Sequence, residues 1–172
     1  MPVSRILTRD EALAELTRRY FTSHGPATAQ DFAWWSGLTI VDVKAGLAMA
    51  KSHVVEETIN GQVYWSAPPL VSTGIAESTA YLLLSYDEYA VAYKDRRAIL
   101  DATYAAQAKN GIFYPIVVTN GRIVGTWKRT LKRDAVSVET DLFHPLNEGE
   151  MHALIIAADR YSRFIGKAVI MS

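Results

Sequence analysis

Two Asn-Gly dipeptides set between strand-like runs, with three capped amphipathic segments ahead of the first, predict an α+β chain. The expected architecture is a winged helix (helix-turn-helix plus β-hairpin) followed by a small β-rich domain with a C-terminal helix. The stretch Ser66 to Ser78, SAPPLVSTGIAES, is rich in Pro, Ser and Gly and has no clear period. It places a winged-helix domain at 1–66, a linker at 67–78 and the β-rich domain with its C-terminal helix at 79–172.

The first helix is expected from Thr8 to His24. Thr8 and Glu11 have capping-box spacing, and Leu13, Leu16, Tyr20 and Phe21 make an apolar stripe. Arg18 and Arg19 lie towards its C-terminal end, where the helix dipole favours cations. Their functional reading is phosphate contact, and the plain reading is a solvated helix face. Gly25-Pro26 ends this pattern, and Thr28 followed by Asp31 opens a second helix closed by Gly37. Thr39 caps a third, with Ile40, Val43 and Leu47 at i, i+3 and i+7 as its inward face. Trp34 and Trp35 are adjacent, so on a helix they point about 100° apart. One is read as a core anchor and the other as a cover at a domain junction, with base stacking as the alternative. Val54 to Thr58, Asn60-Gly61 and Gln62 to Trp65 read as the hairpin.

Beyond the linker, Tyr81 to Ser85 reads as a short buried strand. Asp101 is expected to cap a helix from Ala102 to Lys109 that Asn110-Gly111 terminates. Ile116 to Thr119, Asn120-Gly121 and Arg122 to Thr126 form a second hairpin, and Ala135 to Asp141 a further strand. Asn147 to Ile165 is the last helix, with Met151, Leu154, Ile155, Ala158 and Ile165 on one face, and Ala168 to Met171 a closing strand.

The chain has 172 residues, 49% of them hydrophobic, and no cysteine. Disulfides and thiolate metal sites are therefore excluded, and a cytoplasmic location is the expectation. No apolar run reaches the ~18 residues that would span a bilayer. Lys plus Arg equals Asp plus Glu at 18 each, so a role on nucleic acid has to rest on local patches.

The concentrated basic run is Arg122, Lys128, Arg129, Lys132 and Arg133, with Trp127 in its middle and no acid between Arg122 and Arg133. A positive, aromatic-bearing hairpin suits a phosphate backbone, with Trp127 stacking or wedging. The plain alternative is a charged edge that discourages sheet-to-sheet pairing. On the third helix the outward set is Val41, Asp42, Lys44, Ala45, Ala48 and Lys51. Base reading in the major groove calls for Arg, Lys, Asn or Gln. Two lysines and small apolar groups fit non-specific backbone contact or an architectural role instead.

Asp87, Glu88, Tyr89 and Arg96 put carboxylates, a phenol and a guanidinium directly after an apolar strand, a common place for a polar cleft. The alternative is a salt-bridge network that docks the segment. Asp141, His144, Glu148 and His152 match no standard zinc spacing, so no metal site is expected, and no cofactor. Gly-rich phosphate loops, G-x-S-x-G elbows and paired-histidine motifs are missing, and no complete catalytic constellation is visible.

At HGPATAQDFAWWSGLT, YDEYAVAYKDR and NGIFYPIVVTNGRIVGTWKR the sequence resembles the winged-helix DNA glycosylase family called AlkZ-like. The resemblance runs from about Thr8 over nearly the whole chain, with the motifs in order. It implies tandem winged helices followed by a β-rich domain, and hydrolysis of the N-glycosidic bond of alkylated or crosslinked bases. The family's catalytic signature, glutamine–apolar–glutamine or glutamine–apolar–aspartate, lies in an N-terminal winged helix. Gln30, Gln62 and Gln107 are isolated, and none is followed two residues later by Gln or Asp. The resemblance is thus to the C-terminal half. Expected partners are duplex DNA, bound weakly and without sequence preference, and an N-terminal catalytic half. The competing readings are a protein-interaction module, or a stand-alone enzyme using the Asp87–Arg96 cluster.

Overall fold

Packing divides the chain into two units, Met1–Thr73 with Ala92–Asp95, and Gly74–Val91 with Arg96–Ser172. The structure is a computed structural model that describes residues 6–68, 78–108 and 113–172. The expected linker falls mostly on 69–77, outside the described residues, as does the expected Asn110-Gly111 helix end. The short return of Ala92–Asp95 to the first unit is a feature that one compositional boundary does not contain.

In the first unit, α1 (Arg9–His24), α2 (Ala29–Ser36) and α3 (Ile40–Met49) precede a hairpin of β1 (Val55–Ile59) and β2 (Gln62–Ser66). Thr8 and Thr28 cap α1 and α2 through reciprocal boxes with Glu11 and Asp31. Thr39 caps α3 by accepting from the Asp42 N–H. Asn60 and Gly61 both take positive φ, 51° and 77°, the geometry a two-residue hairpin turn requires. Tyr20, Phe21, Phe32, Val43, Leu47 and Val54 form the core.

Two expectations change here. The inward face of α3 is Val43, Gly46 and Leu47, while Ile40 is 38% exposed at the first turn. Gly46 sets that face because a Cβ there would come within 2.2 Å of the Thr17 hydroxyl of α1. The helix backbone therefore lies directly on Thr17, and the apolar stripe rotates away from Ile40. Neither tryptophan is a core anchor: Trp34 is 53% and Trp35 38% exposed. Tyr20 and Phe32 already fill the interior, and Trp35 packs outside them, 5.1 Å from Tyr20 and 5.4 Å from the His24 ring.

The second unit is a five-stranded sheet in sequence order: β3 (Ala80–Leu83), β4 (Ile116–Thr119), β5 (Arg122–Leu131), β6 (Ala135–Leu142) and β7 (Ala168–Met171). All neighbours are antiparallel except β6 and β7. One face packs on α5 (Glu148–Ile165) through Val117, Val124, Trp127, Val136, Val138 and Leu154. The other buries Ile116, Val118 and Ile123 against Ala90, Leu100 and Ala108. Val117 pairs with Gly125 but Val118 with Ile123, so Val124 is an inserted bulge residue. The bulge breaks the two-residue alternation, which is why Ile123 and Trp127 point to opposite faces.

The expected helix 102–109 is instead a single 3-10 turn, Ala102–Tyr104, followed by turns to Ala108. Asp101 caps it by accepting from Thr103 N–H, and the turns that follow seat Tyr104, Ala105 and Ala108 on the sheet's second core. On α5 the buried residues are Ala153, Leu154, Ala157 and Ala158, whereas Met151 and Ile155 are 40% and 53% exposed. The alanines give the helix its close seat on the sheet, and the larger side chains lie outside it. Among the described residues no helix is long and apolar enough to cross a membrane.

Candidate nucleic-acid interface

The basic run of β5 does not form one patch. Lys128 and Arg129 are consecutive on a strand and so project from opposite faces. Lys128 lies across from Glu139 on β6, and its ammonium meets that carboxylate at 2.8 Å. The pairing pushes the lysine above its ordinary pKa. Arg129 lies on the α5 face, where its guanidinium donates to the Tyr161 hydroxyl at 2.6 Å. Arg122 sits by the Asn120-Gly121 turn and donates to the Ala98 carbonyl. At ~3.3 Å per residue, it is about 30 Å along the strand from Lys132.

Trp127, expected to stack or wedge, is buried instead. It is 4% exposed, its indole N–H donates to the Leu83 carbonyl at 2.8 Å, and its ring meets Tyr161 edge-on at 5.6 Å. The bulge at Val124 is the physical cause, because it turns this position onto the face that α5 covers.

What the structure does gather is the turn between β5 and β6. Arg133 and Asp134 form the loop, closed by the Lys132 N–H on the Ala135 carbonyl at 2.8 Å. Ala135 pairs with Ala168 in the parallel register, which brings Lys167 alongside. Its ammonium donates to the carbonyls of Lys132 and Arg133, each at 2.9 Å. Lys132 and Arg133 are exposed, and no ion pair engages either among the described residues. Three cations against one carboxylate leave this tip at +2. Lys167 escaped sequence reasoning because it lies 34 residues from Arg133; the strand-like AVIM run after it was the available signal.

In the first unit Lys44 and Lys51 are exposed, on α3 and just after it. Asp42, the one carboxylate of the outward set, is taken up by Arg9 at 2.5 Å and by the Thr39 hydroxyl. These partners hold its carboxyl below the usual range.

Residues 2–164 match the sequence pattern of the family described as DNA glycosylase AlkZ-like. The chain belongs to the AlkZ-like DNA glycosylase family. The fold agrees with that membership: DNA glycosylase AlkZ of Streptomyces sahachiroi superposes with a TM-score of 0.74 at 18% identity. The match covers 98% of this chain and 48% of that one, so the chain spans about half the length of its structural relative. None of the curated proteins matches the sequence.

In this AlkZ-like chain Gln30, Gln62 and Gln107 are all exposed, on α2, at the start of β2 and in the turns after Tyr104. The Asp87–Arg96 cluster is engaged in holding its own segment together. Asp87 accepts from the Tyr89 N–H at 3.0 Å at the start of α4 (Glu88–Val91). Tyr89 donates its hydroxyl to the Gly121 carbonyl at 2.7 Å, and its burial raises the phenol pKa. Arg96 donates from Nε to the Ala90 carbonyl at 2.7 Å, and Glu88 stays exposed on α4. These bonds match the docking alternative rather than an open cleft. No group of His, Asp and Glu fit to hold a metal occurs among the described residues.

Asp31, which the sequence offered only as a capping residue, does more. Its carboxylate is 3% exposed and accepts from the Thr28 N–H and hydroxyl at 2.9 and 2.7 Å. Its other oxygen accepts from the N–H groups of Lys94 and Asp95, at 2.8 and 3.2 Å. The returning strand of chain is thereby fastened to α2.

Proposed function

We propose that this chain is a DNA-engaging part of an AlkZ-like glycosylase acting in repair of alkylated or crosslinked DNA, in the cytoplasm. Its first unit is a winged helix, with α3 as the helix that approaches the duplex and β1–β2 as the wing. Three capped helices followed by an Asn-Gly hairpin support that reading. Binding is weak and indifferent to sequence, through Lys44 and Lys51 in the first unit and Lys132, Arg133 and Lys167 in the second. Arg122, Lys128 and Arg129 contribute at most secondary phosphate contacts, being engaged with Ala98, Glu139 and Tyr161. The groups that position the attacking water come from a glutamine-bearing segment that this sequence does not contain.

Family membership over residues 2–164 is the observation that carries the reading. Its test is duplex affinity against salt concentration for the wild type and for K132E/R133E. Removing two phosphate contacts should lower the slope of log K against log salt by about 2. The same protein should release no base from alkylated DNA by itself. An unchanged slope would refute the assignment of the tip.

A second reading, a protein-interaction module, has one observation in its favour. The outer face of α3 exposes Ile40, Val41 and Met49 at 38, 72 and 41%, more apolar than a DNA-facing helix needs. Absence of any gel shift at low salt would favour it.

A further inference from the structure

Backbone and side chain are in conflict at one position of the second unit. Leu84 to Asp87 is a reverse turn closed by the Asp87 N–H on the Leu84 carbonyl at 3.3 Å. Its third residue, Tyr86, has φ +61°. That position of a turn belongs to glycine or asparagine, because a Cβ in the left-handed region crowds the backbone. Among the described residues the other non-glycine residues with positive φ are Asn60 and Asn120, the ordinary choices, each in an Asn-Gly hairpin. Tyr86 is the exception.

Its ring does not serve a core. Tyr86 is 63% exposed, and its aromatic contact is Phe113, itself 57% exposed, with centroids 5.8 Å apart and planes at 90°. Leu84, two residues before Tyr86, and Tyr114, next to Phe113, are 51% and 43% exposed. The result is an aromatic corner open to solvent at the end of β3. A backbone held in a sparsely populated region to present an exposed group is a pointer to function.

We propose that Tyr86 and Phe113 stack an unpaired nucleobase of single-stranded or locally opened DNA. This rests on the reading that the chain engages DNA. Two rings at a right angle offer a base one face to lie on and one edge to meet its rim. Such stacking is indifferent to sequence, since every base has a π face. Charge on either side fits a base better than a phosphate at the corner itself. Glu88 is exposed two residues after Tyr86 and adds no cation there. Lys128 lies on β5, beside the strand that follows Phe113, one residue past the Trp127 N–H bond to the Pro115 carbonyl, and its side chain is 72% exposed. Its surface pairing with Glu139 exchanges readily for a backbone phosphate.

The test uses the full chain and two DNAs, one fully paired duplex and one carrying a single bulged 2-aminopurine. Wild type should bind the bulged DNA more tightly and quench its fluorescence. Y86G removes the ring and relieves the backbone, so the protein should melt no lower than wild type. It should lose about 5- to 150-fold in affinity for the bulged DNA, the range of one stacked base. F113A should share that loss, and affinity for paired duplex should hold in both variants. Binding of both DNAs with no preference, or with Y86G and F113A unchanged, overturns the stacking corner and leaves DNA engagement standing. A Y86G protein that melts lower than wild type also overturns it, because the ring would then serve the fold. No binding of either DNA at low salt removes the parent reading and the inference with it.

Discussion

Replacing Asp31 by alanine should cost far more than the loss of an ordinary helix cap. The carboxylate is 3% exposed and accepts four hydrogen bonds, two from Thr28 and one each from the N–H groups of Lys94 and Asp95. The Thr28 hydroxyl can turn to another acceptor, which leaves three backbone N–H groups without a partner in D31A. A stranded buried donor costs roughly 1–3 kcal/mol, a cost that falls in full on the buried Thr28 N–H, whereas water partly satisfies the N–H groups of Lys94 and Asp95, which are exposed residues. The expected loss is therefore about 2–4 kcal/mol. T28A removes only the cap and should cost about 1 kcal/mol. D31N keeps one acceptor oxygen and should fall between them. Urea unfolding followed by tryptophan fluorescence reads all three, since Trp34, Trp35 and Trp65 lie in the first unit. Limited proteolysis should also open D31A within 92–97. If D31A were no less stable than T28A, Asp31 would be a cap and nothing more.

At Trp127, W127F keeps an aromatic ring but strands the Leu83 carbonyl, and it should lower stability by roughly 1–3 kcal/mol. Its DNA affinity, measured on the folded protein, should be unchanged; a selective loss of affinity would return Trp127 to the DNA surface. Glu15 accepts from Arg18 and Arg19, and those hydrogen bonds lower its carboxyl from 4.5 to about 2. A depressed carboxylate pKa stabilises the fold above the unfolded value and loses that contribution as pH falls through the folded one. Stability of wild type should therefore drop between pH 4.5 and about 2 more steeply than that of E15Q, as read by urea midpoints across that range. Parallel curves would show that the ion pair does not persist in solution.

The difference between what was legible and what was not follows from the range of each interaction. Thr8, Thr28, Thr39 and Asn147 each cap a helix through a partner three residues on, and Asn60-Gly61 and Asn120-Gly121 turn hairpins through their own backbones. Such signals are local, and a single sequence holds them complete. The cations failed as a cluster because their neighbours come from other strands. Glu139 reaches Lys128 through the β5–β6 register, Tyr161 reaches Arg129 from α5, and Lys167 joins Lys132 and Arg133 only through a parallel pairing. One inserted residue, Val124, then decides which face each member of the run occupies, and it carries no sequence mark beyond the glycine beside it. Electrostatic surface in this chain is thus a property of register, and the positive tip at Arg133 exists because β7 returns parallel to β6. A charge run on a strand marks phosphate contact only after its cross-strand partners have been counted, and that count moves the weight from the strand to its turn.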